Sequence, residues 1–270
     1  MRSLVVEQRF CGPPGCANGG YAAGLIMLHA AERVCVRLER PIPLQTQLEL
    51  RTAPEGVFEL WHAGQVLARA RPAALQLEVP AAPSYLEALE ASRQFAGFAR
   101  HAYPGCFVCG PERRRGDGLR IFAGRHGSEA LVAAPWIADA SLADGAGKVR
   151  PEFMSAALDC PGYFAARSDA PHMLLGQFTA HIDRCVHIDE PCVVIGWKLE
   201  ANGRKHEVGT ALFDEDGEQC ARPGSVDRAA RPDVTPMSLR RDCFVIAAAL
   251  DFRPHLRCAM AGDTTWQQCA

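Results

Sequence analysis

The sequence predicts an α+β protein: two antiparallel sheets, each wrapped around a central apolar helix and packed together as a pseudo-dimer. Three observations carry this. Two segments repeat each other in chemistry, a helical segment that is apolar nearly all round precedes the strands of each repeat, and each repeat ends in a hairpin pattern.

The repeat organises the chain of 270 residues. Leu38-Glu39-Arg40-Pro41-Ile42-Pro43-Leu44-Gln45-Thr46 aligns with Ile182-Asp183-Arg184-Cys185-Val186-His187-Ile188-Asp189-Glu190, placing Arg40 on Arg184. Downstream, Leu60 to Arg69 aligns with Leu212 to Arg222 after one inserted residue, and each reads as strand, glycine-containing turn, strand. Periods of this kind are sought first because they decide the architecture.

The first helical segment runs from Asn18 to Ala30, with Asn18 as N-cap and few polar residues on any side, so it must be enclosed. The second runs from Pro151 to Cys160, with Pro at the first position and Glu152 in the first turn. Pro161-Gly162 is expected to stop it. Strand-like sequence precedes each helix, at 3–10 in the first repeat and at 118–123 with 129–134 in the second. An antiparallel sheet curling around each buried helix covers it on all sides.

Arg71 to Val79 reads as the last strand of the first repeat. Its counterpart, Pro223 to Pro232, carries two prolines and a glycine without strand alternation. The expected division is therefore a first unit at 1–82, a connecting helix at 83–105 carrying Leu86, Leu89, Phe95 and Phe98, a second unit at 106–222, and a poorly ordered tail at 223–270. A shifted reading frame would leave a tail of that kind.

Composition narrows the function classes. A net charge of −2 gives no field favouring nucleic acid or an anionic membrane. No apolar stretch reaches the roughly 20 residues that span a bilayer. The N-terminus has no export-signal pattern, so a cytoplasmic location is expected, with the 12 cysteines reduced and mostly filling apolar space. A Gly-x-Ser-x-Gly elbow and nucleotide-binding glycine loops are absent from the sequence.

With these residues in place, the chain resembles the acyl-CoA thioesterase-like hotdog superfamily, in its double-hotdog form. The resemblance covers about residues 1–222 and is most specific at the two helices. It implies that Asn18-Gly19-Gly20, at the start of the first helix, forms the oxyanion and substrate-binding end. An acid nine residues after the cap completes the site in that family, contributed by the partner unit. The first unit has Met27 there, whereas the second, counted from Arg150, has Asp159. One composite site is the expectation, with Asp159 as the catalytic carboxylate.

The chemistry fits each role. Glycines let a thioester carbonyl approach backbone N–H groups at the positive end of a helix. A carboxylate on an otherwise apolar helix is partly desolvated and suits a general base or a nucleophile. The expected activity is hydrolysis of acyl-CoA or a related thioester, without cofactor or metal, in a chain that pairs again as a homodimer. The alternatives are a non-catalytic acyl or small-molecule binding module and, third, a hydroxyacyl-thioester dehydratase. More ordinary roles also exist: Asn-Gly-Gly serves as a turn and cap, and an Asp at a helix end bonds neighbouring amides.

Cys106-Phe107-Val108-Cys109-Gly110 is compatible with half a zinc site, a redox pair or a structural turn. The turn is the preferred reading, because no second pair stands at zinc-site spacing and His101 and His126 are weak substitutes. The following Arg113, Arg114 and Arg115 are candidates for binding coenzyme A phosphates through guanidinium forks.

Overall fold

The structure is a computed structural model, and it describes residues 2–30, 33–74, 77–127, 131–166, 173–223 and 226–230. Its strands are β1 (Arg2–Val5), β2 (Val34–Leu38), β3 (Gln47–Thr52), β4 (Phe58–His62), β5 (Gln65–Pro72), β6 (Gly124–Arg125), β7 (Leu131–Ile137), β8 (Met173–Ile182), β9 (Pro191–Asn202), β10 (Lys205–Phe213), β11 (Gln219–Pro223) and β12 (Val226–Ala230). The helices are α1 (Gly19–Met27), α2 (Tyr85–Arg93), α3 (Pro151–Ala157) and α4 (Asp159–Ala166).

All strands join one antiparallel sheet in the order β1-β3-β4-β5-β2-β8-β11-β10-β9-β7-β6, with β12 also lying between β8 and β10. The seam is β2 on β8, where Val36 faces Phe178. Outward from the seam, each half runs through its hairpin (β5-β4 or β11-β10), then β3 or β9, then the strand preceding its helix (β1 or β7).

The repeat extends to individual backbone hydrogen bonds. Glu39 and Arg40 both donate to the Leu67 carbonyl, at 2.8 and 3.1 Å, while Asp183 and Arg184 donate to that of Cys220, at 2.9 and 3.2 Å. Ala17 donates to Ile42 at 2.8 Å, as Val149 does to Val186 at 2.9 Å. Gln45 donates to Val6, and Asp189 to Ala138; both donors adopt a positive φ, 52° and 63°. The turn glycines Gly64 and Gly217 have φ of 75° and 76°. These pairs follow the alignment of Arg40 on Arg184, so two stretches with different side chains carry one backbone plan.

Helix α1 is capped as its sequence predicts, the Asn18 side chain accepting from Tyr21 N at 2.9 Å. Gly20 and Gly24 lie one helical turn apart where α1 meets α3. A Cβ on Gly20 would come within 2.6 Å of Asp159 Cβ and 2.9 Å of the Ser155 carbonyl oxygen; one on Gly24 would come within 2.8 Å of Ser155 Cβ. The two helices touch because these positions have no side chains. Phe10, Tyr21, Phe107 and Phe153 pack beside this crossing, with Tyr21 stacked on Phe10 at 4.3 Å between ring centres.

Four sequence expectations need correction. Helix does not stop at Pro161-Gly162: the chain kinks at Leu158, whose ψ is −10°, and restarts as α4. Pro161 then falls in the first turn of a new helix, where an N–H has no intrahelical partner to lose. The last strand of the first half ends at Pro72 instead of Val79. Proline has no N–H to continue the ladder, and Leu77 and Val79 pack outside it against a smaller apolar cluster.

The other two concern the linker and the tail. The connecting helix α2 forms on a Ser84–Glu87 capping box but ends at Arg93, so Phe95 and Phe98 lie beyond it; it buries Ala88 and Ala91 and leaves Leu86 75% exposed. Its close approach to the sheet at Gly124, where a Cβ would meet the Ala91 carbonyl oxygen, admits only small residues on that face. Finally, Val226–Ala230 is a strand despite its lack of alternation. It pairs with β10 and β8 through backbone groups and continues the position that β11 opens. The rest of the tail, 224–225 and 231–270, lies outside the described residues, as do 129–130 of the strand expected before the second helix.

Candidate active site

The N-terminus of α1 and the junction of α3 with α4 meet at the helix crossing. Asn18, from the first half, and Asp159, the first residue of α4, are both buried, at 2% and 4% exposure. One oxygen of Asp159, Oδ2, accepts two hydrogen bonds, from Asn18 Nδ2 at 2.9 Å and from the Gly20 amide at 3.1 Å. The structure thus brings Asn18, Gly20 and Asp159 together across 141 residues of sequence. The carboxylate sits at the N-terminal end of α1.

The first turn of α1 is almost fully engaged: Gly20 donates to Asp159, Tyr21 to the Asn18 side chain, and Ala22 to the Asn18 carbonyl at 3.0 Å. Gly19 sits under apolar side chains, and a Cβ there would meet Leu175 Cδ2 at 2.8 Å and Leu38 Cδ1 at 3.1 Å. Burial in this core raises the Tyr21 phenol well above its ordinary range, so Tyr21 stays neutral.

The corresponding helix start in the second half is built differently. Arg150 occupies the cap position without a side-chain capping bond to an α3 amide, and its Nε lies 3.1 Å from Oε1 of the buried Glu152 in the first turn. Pro151, which has no N–H, and Glu152 stand where the first half has Gly19 and Gly20.

The three arginines separate. Arg113 is only 12% exposed and ties the loop together, donating to the carbonyls of Gly105 and Arg9 and to Asp117 Oδ2 at 2.8, 2.9 and 2.9 Å. Its donors are spent within the chain. Arg114 and Arg115 are exposed.

A second group of reactive side chains adjoins the first. Cys106 and Cys109 meet a third buried thiol, Cys160, the residue after Asp159 on α4. The three sulfurs lie within 4.8 Å of one another, with Cys106 and Cys160 3.8 Å apart. Hydrogen bonds from the Cys109 and Cys160 thiols hold Cys106 well below the ordinary thiol range. Burial, with the bond to Cys106, pushes Cys109 up, and the bonds to Cys106 and Cys109 push Cys160 up. Sequence reading missed Cys160 because 54 residues separate it from Cys106. Its place beside Asp159 was the available signal.

Among the described residues, no helix is long and apolar enough to cross a membrane. No family model matches the sequence, and no curated protein does. Comparison with solved structures does find likenesses. A tesB protein of Mycobacterium avium subs. paratuberculosis has a TM-score of 0.53 at 14% identity, over 80% of this chain and 88% of that one. A protein assigned as a thioesterase II in Thermobifida fusca has 0.54 at 14% identity, over 85% and 92%. One assigned as a thioesterase in Novosphingobium aromaticivorans has 0.53 at 10% identity, over 85% and 95%. Such identities bear on the fold alone: with its large antiparallel sheet and central apolar helices, this chain has a hotdog-like α+β fold.

Proposed function

We propose that the protein is a double hotdog that hydrolyses an acyl thioester of the coenzyme A type at one composite site. The observation that carries this reading is the Asp159 carboxylate, held at 2.9 Å by Asn18 and at 3.1 Å by Gly20 from the opposite half. The recurrence of the Leu67 and Cys220 hydrogen bonds about the β2–β8 seam supports two hotdog units in one chain. In this reading the first unit spans 1–82, the linker 83–105, and the second unit runs from 106 through Ala230, since β12 belongs to its sheet. A cytoplasmic location and pairing of two chains belong to the same reading.

The mechanism uses few groups. The acyl chain enters by displacing the side chains of Leu175 and Leu38 over Gly19. The Gly19 amide, at the positive helix end, receives the thioester oxygen, and one such donor lowers the barrier by roughly 3 kcal/mol. Asp159 takes a proton from water as its oxygen attacks the carbonyl carbon. The tetrahedral intermediate then collapses, the C–S bond breaks, and the departing sulfur recovers the proton from Asp159. Acid and free thiol leave, and the carboxylate is restored. Arg114 and Arg115, exposed beside the engaged Arg113, are the ones free to meet the phosphates of coenzyme A.

A second reading has its own observation. Both bonds to Asp159 Oδ2 also satisfy a buried carboxylate as an anchor for the start of α1, as a non-catalytic acyl-binding module would need. Thiol release measured over a panel of acyl-CoAs, with ligand binding measured in parallel, separates the two. Turnover supports hydrolysis. Binding without turnover supports the binding module, and neither binding nor turnover removes both.

A further inference from the structure

We propose that Cys106, Cys109 and Cys160 together bind a soft divalent cation of the zinc type, through three thiolates and one exchangeable fourth ligand. The site adjoins Asp159 through Cys160 but does not depend on the hydrolysis reading.

The geometry points to a cation in two ways. Zinc–thiolate bonds of about 2.3 Å in a tetrahedron place two sulfurs about 3.8 Å apart. Cys106 and Cys160 stand 3.8 Å apart, and all three sulfurs lie within 4.8 Å. The Cys106–Cys109 segment is also held as a rigid turn. Gly110 N donates to the Cys106 carbonyl at 2.9 Å, and a Cβ on Gly110 would fall 2.4 Å from the Pro104 oxygen and 2.6 Å from Cys106 N, so the turn demands glycine.

The same turn is tied down on both sides. Phe107 N donates to Cys11 at 2.8 Å, while Leu119 and Ile121 donate back to the carbonyls of Phe107 and Val108 at 2.8 and 2.9 Å. Backbone amides of Val108 and Cys109 are hydrogen-bonded to the Cys106 sulfur. A turn fixed this way presents two sulfurs in a set orientation before any ion arrives.

Chemistry selects the ion. A divalent cation would displace the three thiol protons and leave the cluster with one net negative charge, far less costly to bury than three uncompensated thiolates. Thiolate donors favour zinc over magnesium or calcium, which seek oxygen. Among the described residues the cluster counts three such donors, which leaves a tetrahedral ion one position for an exchangeable ligand. Binding would clamp the 106–109 turn to α4 and thereby steady the helix that begins with Asp159.

Elemental analysis of the purified full-length protein tests this. About one equivalent of zinc per chain is expected, as are thiolate-to-metal charge-transfer bands when Co(II) replaces it. Cys160→Ala should lose the ion, while Cys192→Ala, a buried cysteine outside the cluster, should keep it. The proposal fails if wild type holds less than about a tenth of an equivalent and shows no cobalt bands. It also fails if Cys160→Ala keeps a full equivalent, or if mass analysis finds Cys106 and Cys109 joined as a disulfide. The wild-type stoichiometry and cobalt spectrum decide the matter if Cys160→Ala does not fold.

Discussion

Removing the Asp159 carboxylate should uncouple the two halves of the chain where they meet, and a double-mutant cycle with Asn18 measures by how much. Asp159 accepts one bond from Asn18 Nδ2 and one from the Gly20 amide, all three groups being buried. Hydrogen bonds to a charged group contribute about 1.5–3 kcal/mol each, so Asp159→Ala should cost about 3–6 kcal/mol. Asn18→Ala loses one of those bonds and also the cap to Tyr21 N, the latter worth about 1 kcal/mol, for a total of about 2.5–4 kcal/mol. The double variant should recover the shared bond, giving a coupling of about 1.5–3 kcal/mol. Urea unfolding of the four proteins at one pH supplies the numbers. A coupling below about 0.5 kcal/mol would mean that the two side chains do not support each other, and the account of the helix crossing would fall.

Other substitutions test separate parts of the structure. Gly20→Ala puts a methyl group 2.6 Å from Asp159 Cβ and 2.9 Å from a backbone oxygen, and should lower stability by about 1–3 kcal/mol in urea unfolding. Gly64→Ala and Gly217→Ala force φ near 75° on alanine at equivalent turns; each should cost about 1–2 kcal/mol, and unequal losses would speak against one shared hairpin plan. The Arg69 side chain, donating at 2.9 Å, holds Glu59 below the ordinary carboxylate range. That stabilisation is present above the unfolded carboxylate pKa and is lost as pH falls through the folded one. The stability gap between wild type and Glu59→Gln should therefore close on acidification, as followed by unfolding across pH. Arg113→Ala should reduce stability without raising KM for a coenzyme A ester, whereas Arg114→Ala with Arg115→Ala should raise KM, as initial rates would show.

Much of the architecture was legible because the repeat preserves a backbone plan. Arg40 and Arg184 mark the same position of each half, since their amides reach equivalent carbonyls, Leu67 and Cys220, in the neighbouring strand. Asn18 announced the start of α1 through its capping chemistry. Local signals misled where tertiary context set the outcome. Pro161 reads as a stop until a kink at Leu158 places it in a first turn. Val226–Ala230 has no alternation, yet an open position between β8 and β10 pairs its backbone. Leu86 belongs to a helical apolar spacing, but the close approach at Gly124 admits only alanine-sized residues.

The candidate site was legible in part for the same reason. Counting nine residues from equivalent caps led to Asp159, and the fold brings it to Asn18 and Gly20. Cys160 escaped notice because its partners come from a loop before the second unit's sheet, at a distance no spacing rule covers. Arg113 read as available for phosphate because a sequence does not reveal the carbonyls of Gly105 and Arg9 that engage it.

The rate of thiol release by wild type and by Asp159→Asn, on the acyl-CoA that wild type turns over best, tests the composite site most directly. The amide keeps the shape of the side chain and can still accept from Gly20, so the fold is preserved while the base is lost. A fall in kcat of about 100-fold or more is the predicted result, in a protein that still folds but is less stable by about 2–3 kcal/mol, because two charge-assisted bonds become neutral ones. Equal kcat in the two proteins would contradict it and leave Asp159 as an anchor for α1 alone.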